Sequence, residues 1–155
     1  MEAFVHTVHV LLAGVWLGGL VFTTAVVSPA LKAMKWSEAE RVRVRAVIGG
    51  RYARVAVVNL LLLALFAGLD GAFGGFGGWR YLEYALILSV FALASVHGAY
   101  FGRRMTRLAE VETVAGGVEA SEAAQKRREL QRVSLKLSVL ALVLSAAIVA
   151  LAANL

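Results

Sequence analysis

The most regular feature of the chain is a set of four long stretches that contain no Asp, Glu, Lys or Arg. They run from 3 to 31, from 55 to 69, from 84 to 102 and from 137 to 155. A helix needs roughly 20 apolar residues to cross the ~30 Å hydrocarbon layer of a bilayer. The pattern therefore predicts one all-α domain, 1–155, that is an integral membrane four-helix bundle with spans at about 4–30, 52–72, 80–104 and 133–154.

The basic residues predict how these spans are oriented. Of the 16 Lys and Arg residues, seven lie between the first two spans, eight lie between the last two, and Arg80 alone lies in the remaining loop. Because cytoplasmic loops carry the excess of Lys and Arg, the loops 31–51 and 105–132 are predicted to be cytoplasmic. We therefore expect both termini outside, in a multi-pass protein of the cell's inner (plasma) membrane.

Local signals predict where helices begin and end. Ser37 followed by Glu40 is a capping box, which predicts a short cytoplasmic helix that ends at Gly49-Gly50. Pro29 is expected to end the first span. The 115–117 segment (Ala-Gly-Gly) is expected to separate two helices, and the glycine-rich 71–79 segment is expected to be a flexible outer hairpin. Gly14 and Gly18 form a small-xxx-small pair, which predicts close helix packing.

Composition sharpens this picture by exclusion. Of the 155 residues, 60% are hydrophobic and 17% are charged, against roughly 45–50% and 25% in soluble domains. The chain has no cysteine, which excludes disulfides, thiolate metal sites, iron–sulfur clusters and cysteine nucleophiles. The net charge of +6 is explained by topology and by contact with anionic lipid, so no nucleic-acid partner is needed.

The few polar residues within the spans are functional candidates, because polar groups are costly inside a membrane. At ~1.5 Å per residue, His9 lies about 8 Å from the outer end of span one, and Glu83 lies about 6 Å from the outer end of span three. These two residues are therefore expected at one level. His97 lies ~9 Å from the inner face, so His9 and His97 are not expected to bind one ion. Asn59 is expected to form an interhelical hydrogen bond.

Two kinds of site remain open at the outer level. His6 and His9 are spaced i, i+3 and share a helix face, so both could bind one small metal ion with Glu83, and with Asp70 from span two. Copper, zinc or ferrous iron would suit these ligands. A haem would instead need one axial imidazole from span one. For His97, a hydrogen bond to a neighbouring helix and a functional role are both open.

The first span resembles a known group of small membrane proteins. The 9–20 segment, with His9 followed by Trp16, is similar to the first span of copper resistance protein D and of HemJ, the membrane protoporphyrinogen IX oxidase. The 97–103 segment (His-Gly-Ala-Tyr-Phe-Gly-Arg) after Trp79 resembles the third span of HemJ, and the 27–31 segment resembles copper resistance protein D. The chain is thus identified as a member of this wider superfamily.

The resemblance implies haem b and oxidoreductase activity of the protoporphyrinogen oxidase type, with His9 at the haem. Glu83 stands where HemJ has a lysine, and His6, Trp16 and His97 are further cofactor-binding candidates. Our leading hypothesis is a haem-b redox protein with Glu83 or water opposite His9, acting on a porphyrinogen or a quinol. The alternatives are a copper-binding or uptake protein that uses His6, His9 and Glu83, and a non-catalytic accessory subunit. A homodimer would enclose a macrocycle more completely.

Overall fold

The fold is a bundle of four long helices, which confirms the predicted class. The computed structural model describes the backbone of residues 1–155 and the side chains of 1–37 and 40–155. We number the helices α1 (Glu2–Ala33), α2 (Glu38–Gly74), α3 (Gly78–Val114) and α4 (Gly117–Ala152). Each is long and apolar enough to cross a membrane.

Packing of the bundle leaves many large apolar side chains exposed on its outside. Helix α1 packs on α2 and α4, and α4 also packs along α3. The interior is a narrow layer of buried residues: Ala13, Trp16, Leu60, Leu63, Ala67, Ile87, Val90, Ile148 and Ala152. Leu11, Leu65 and Leu88 are instead more than half exposed. Such side chains are suited to contact lipid tails, so the exposed surface agrees with a membrane-embedded bundle.

The capping box is confirmed, but the helix that it begins is much longer than expected. Glu40 accepts from the backbone N–H of Ser37, and the Ser37 hydroxyl caps Glu40 in return. The prediction that this helix ends at Gly49-Gly50 is wrong, since α2 continues to Gly74. Each glycine costs about 1 kcal/mol in a helix, whereas a break here would leave several backbone groups unpaired close to the bilayer.

Pro29 does not end the first helix, which is a second correction. A π-helical turn at Thr23–Val27 precedes it, and the Ser28 N–H donates to the carbonyl of Thr23. The wider turn absorbs the disruption caused by the missing proline N–H. Helix α1 therefore continues to Ala33. A second π-helical stretch, His97–Gly102, lies inside α3.

The two other predicted breaks, near 71–79 and near 115–117, had different outcomes. The break near 115–117 is confirmed, because α3 ends at Val114 and α4 begins at Gly117, which has a positive φ of 59°. The 71–79 hairpin is shorter than expected. Helix α2 runs to Gly74, only 75–77 form the turn, and Gly75 there has a φ of 86°.

Gly14 and Gly18 do not mediate packing inside the bundle. A Cβ atom built at either position would meet nothing within 4 Å, and both residues are exposed. It is Gly19 that allows close approach, since a Cβ there would lie 2.5 Å from the hydroxyl of Tyr52 on α2. The expectation about Gly14 and Gly18 was therefore wrong within one chain.

Candidate functional site

Five polar side chains meet at the end of the bundle that carries both chain termini. We call His6, His9, Asp70, Arg80 and Glu83 the terminal cluster. His6 and His9 come from α1, Asp70 comes from the last turns of α2, and Arg80 and Glu83 come from the first turns of α3. Both pairs on one helix are spaced i, i+3, which places each pair on a single face. All except His6 are buried.

Asp70 is the centre of the terminal cluster. Its Oδ2 atom lies 2.9 Å from Nη1 of Arg80, 3.3 Å from Nδ1 of His6 and 3.4 Å from Nδ1 of His9. Arg80 also donates from Nη2 to the backbone carbonyl of Leu155, at 3.2 Å. One carboxylate therefore links α1, α2 and α3, and Arg80 joins them to the end of the chain.

The contacts of Asp70 define the tautomer of His9. A carboxylate paired with Arg80 is ionised and can only accept hydrogen bonds. The Nδ1 atom of His9 must therefore carry the hydrogen that faces Asp70, and in the neutral ring the Nε2 atom carries a lone pair. A carboxylate that fixes a histidine in this way is a common support for an imidazole whose second nitrogen binds a metal.

The second nitrogen of His9 faces Glu83. The distance from Nε2 to Oε1 of Glu83 is 2.9 Å, and neither side chain has any solvent exposure. The two groups are not aligned as a hydrogen bond: His9 Nε2 and both oxygens of Glu83 lack a hydrogen-bond partner among the described residues. Unsatisfied buried polar groups are rare and require an explanation, such as a bound ion. With the ring neutral, two lone pairs face each other at this distance, and either a metal ion or a proton between them would remove their repulsion.

Two glycines allow the helices to approach closely at the cluster. A Cβ atom at Gly74 would lie 2.5 Å from Nη2 of Arg80, and a Cβ at Gly71 would overlap the hydroxyl of Tyr84. That hydroxyl donates to the carbonyl of Ala67 at 3.1 Å. The glycines read from the sequence as a flexible loop are thus helical positions on which two side chains of α3 rest.

Four of the predicted site residues lie together in the terminal cluster, and the other two lie elsewhere in the bundle. The expected level of His9 and Glu83 is confirmed, and His6 and Asp70 join them. Trp16 lies deeper in the apolar core, where its indole N–H donates to the hydroxyl of Ser145 at 2.9 Å. The imidazole of His97 lies 3.5 Å from the Ser134 hydroxyl on α4. Neither Trp16 nor His97 contacts the terminal cluster.

Two further polar residues bear on the sequence analysis. Asn59 donates to the carbonyl of Leu12 at 3.2 Å, so its expected interhelical hydrogen bond is confirmed. In the sequence Arg80 indicates only topology, yet in the structure it is the cation of the cluster and only 6% exposed. Its isolation as the one basic residue between spans two and three was the available signal, because a cation against the charge rule needs a local partner.

Comparison with known proteins places the chain in a family. Residues 11–113 match the family described as "Domain of unknown function (DUF4149)". The chain belongs to the DUF4149 family. The DUF4149 match contains Asp70, Arg80 and Glu83, whereas His6 and His9 precede it. No curated protein and no solved structure shows significant similarity to this DUF4149 chain.

The geometry of this DUF4149 protein can be compared with the needs of each predicted cofactor. Bonds from a metal to nitrogen or oxygen are about 2.0–2.2 Å long, so ligands on opposite sides of a metal lie roughly 4 Å apart and adjacent ligands roughly 3 Å apart. The 2.9 Å between His9 and Glu83 suits adjacent ligands of a small ion. It does not accommodate a haem between the two residues, and both are fully enclosed by protein.

The donor set for such an ion is small. Within 1–37 and 40–155, no three His, Asp or Glu side chains converge so as to hold a metal ion. His9 and Glu83 together nevertheless offer one nitrogen and two oxygens, all without hydrogen-bond partners. Asp70 faces the opposite edge of the His9 ring and supports it from there. The described residues therefore fit a metal site with two protein ligands, His9 and Glu83, which offer three donor atoms.

Proposed function

We propose that this protein is a membrane-embedded copper-binding protein whose copper site is formed by His9 and Glu83. One observation carries the proposal: Nε2 of His9 lies 2.9 Å from Oε1 of Glu83, in full burial and without a hydrogen bond. A cation between these atoms relieves their repulsion. A proton would serve the same purpose, so the experiment below must distinguish the two.

Copper is the metal that the donor set favours. A site built from imidazole and carboxylate binds Cu²⁺ more tightly than the other divalent first-row ions. The charge balance is also suitable, because Arg80 offsets Asp70 and leaves the Glu83 carboxylate as the charge of the buried site. Copper is here the bound cargo, and the protein supplies its ligands and its enclosure.

The surroundings of the site favour a protein that binds the ion over one that conducts it through the bundle. His6, with a side chain 37% exposed, lies one turn from His9 and provides an approach from the end of the bundle. Beneath the cluster, the interior is formed by buried apolar residues such as Leu63, Ala67 and Val90. Copper therefore enters and leaves by the same end, which we place outside the plasma membrane on the basis of the charge rule.

The test is metal content after purification in detergent. Wild-type protein loaded with Cu²⁺ and then desalted should retain copper in proportion to the chain, measured by mass spectrometry of the metal. His9→Ala and Glu83→Gln should each remove it, because each removes one of the two ligands. His97→Ala is the matched control, since its imidazole also lies in a span but contacts Ser134, and it should retain copper fully.

Two results would overturn the proposal. Absence of bound copper in folded wild-type protein would contradict the copper site and would favour a proton shared between His9 and Glu83. Equal copper retention in His9→Ala and wild type would place the ion elsewhere. An absorption spectrum of the same sample tests the haem hypothesis, which predicts a Soret band that disappears in His9→Ala.

A further inference from the structure

An apolar groove runs along the outside of α2 and ends at a cation. It has a volume of about 450 Å³ and is lined by Arg54, Val55, Val58, Asn59 and Leu62. Val55, Val58 and Leu62 are exposed and repeat at intervals of three and four residues, so they form one stripe. From Arg54 to Leu62 the helix rises roughly 12 Å, which places the stripe along the hydrocarbon layer.

Asn59 borders this stripe on the side of α2 that faces α1, and all the residues that line the groove belong to α2. It is only 8% exposed, and its side chain donates to the carbonyl of Leu12 on α1. Because Leu12 lies one helical turn beyond His9 on α1, Asn59 and the groove lie deeper in the bundle than the terminal cluster. The groove is separate from that cluster, and no residue is common to both.

Arg54 has no counter-ion among the side chains that the structure describes. It is exposed and forms no ion pair with any side chain in 1–37 or 40–155. It is also the last charged residue of α2 before Asp70, so it marks the boundary between headgroups and hydrocarbon. A phosphate is the chemical group that best matches an arginine in this position.

We propose that this groove binds one anionic phospholipid, with its phosphate on Arg54 and an acyl chain along Val55, Val58 and Leu62. The apolar stripe and the cation meet at the depth at which a phospholipid changes from chain to headgroup. Basic pockets at the cytoplasmic ends of spanning helices commonly bind anionic headgroups. Arg54 selects an anionic headgroup, and the apolar groove determines where the acyl chain of that lipid lies.

The experiment is native mass spectrometry of the full chain, delipidated and then offered equal amounts of phosphatidylglycerol and phosphatidylcholine with identical acyl chains. One arginine near the surface predicts about a fivefold preference for the anionic lipid. Arg54→Gln should remove the preference, and Arg54→Lys should retain most of it. Arg43→Gln is the control, because it removes the same charge from an exposed position about three turns earlier on α2.

A second variant tests the groove itself. Val58→Trp fills the groove and leaves Arg54 in place, so it should lower binding of the first lipid and displace the chain. Equal preference in wild type and Arg54→Gln would overturn the proposal. So would unchanged lipid binding in Val58→Trp, which would indicate a diffuse shell of lipids attracted by charge. Displacement of the lipid by inorganic phosphate alone would show a headgroup site without a chain site, and would also overturn it.

Discussion

The Nδ1 atom of His9 lies 3.4 Å from Oδ2 of Asp70, and this contact turns the opposite nitrogen of the same ring toward Glu83, at 2.9 Å. Asp70 is held in its ionised form by Arg80 at 2.9 Å. Arg80 keeps Asp70 ionised, and Asp70 in turn orients the His9 ring. The opposite edge of that ring faces Glu83. Three helices thus cooperate to hold one imidazole nitrogen against a buried carboxylate.

The role of Asp70 can be separated from that of a ligand. Asp70→Asn keeps the shape of the side chain but weakens its hold on the His9 tautomer. Removing such a support typically lowers metal affinity by about 10- to 100-fold. We expect the copper affinity to fall by this amount while full occupancy is still reached at saturating copper. Titration of folded, monodisperse protein measures both, and an unchanged affinity would contradict the positioning role.

Arg80 is expected to contribute strongly to stability. In Arg80→Gln, the buried carboxylate of Asp70 loses its cation, and breaking a buried pair from one side costs about 3–5 kcal/mol. Thermal unfolding in detergent should show a large fall in the midpoint. Arg103→Gln on the same helix removes an exposed charge and should change the midpoint little. The double variant Asp70→Asn/Arg80→Gln should lose less than the sum of the two single variants.

The glycines near the turn should differ sharply in their tolerance of a methyl group. Gly74→Ala brings a Cβ to 2.5 Å from Arg80, and overpacking of this kind costs about 1–3 kcal/mol. Gly68→Ala is the control on the same helix, since its Cβ meets nothing within 4 Å. It should be neutral or stabilising by up to about 1 kcal/mol through helix propensity. Similar unfolding midpoints for the two variants would show that Arg80 moves aside freely.

The absence of cysteine makes the predicted orientation directly measurable. Phe76→Cys and Val114→Cys each place one thiol at an exposed position in one of the two connecting regions, between α2 and α3 and between α3 and α4. With both termini outside, a membrane-impermeant maleimide added to intact cells should label the cysteine at 76 and spare the one at 114. The reverse pattern would place the basic loops outside and contradict the orientation.

The sequence was most informative where a single helix is concerned. The uncharged stretches located all four spans, Ser37 and Glu40 identified the start of α2, and the 115–117 segment identified the last turn. Levels along the bundle axis were also accessible, because the rise of a helix is constant. This is why His9 and Glu83 could be placed at one height before any contact was known.

The errors arose where packing overrides a local preference. Gly49-Gly50 and Pro29 are helix breakers by propensity, but unpaired backbone groups are more costly near the bilayer than either residue is within a helix. Gly14 and Gly18 have the spacing of a packing motif, yet they lie on the outer face of α1. A spacing indicates which residues share a face, and it does not say which way that face points.

The sequence by itself determined that this protein is a four-helix membrane bundle, and that any metal or haem would have to use its few histidines and carboxylates, because charge is costly in lipid and cysteine is absent. Only the tertiary structure decided that Asp70 and Arg80 neutralise each other beside His9, and that the second nitrogen of His9 faces Glu83 alone. Those relationships join residues as far apart in the chain as 9 and 83. They depend on how helices rotate against one another, which no local pattern specifies.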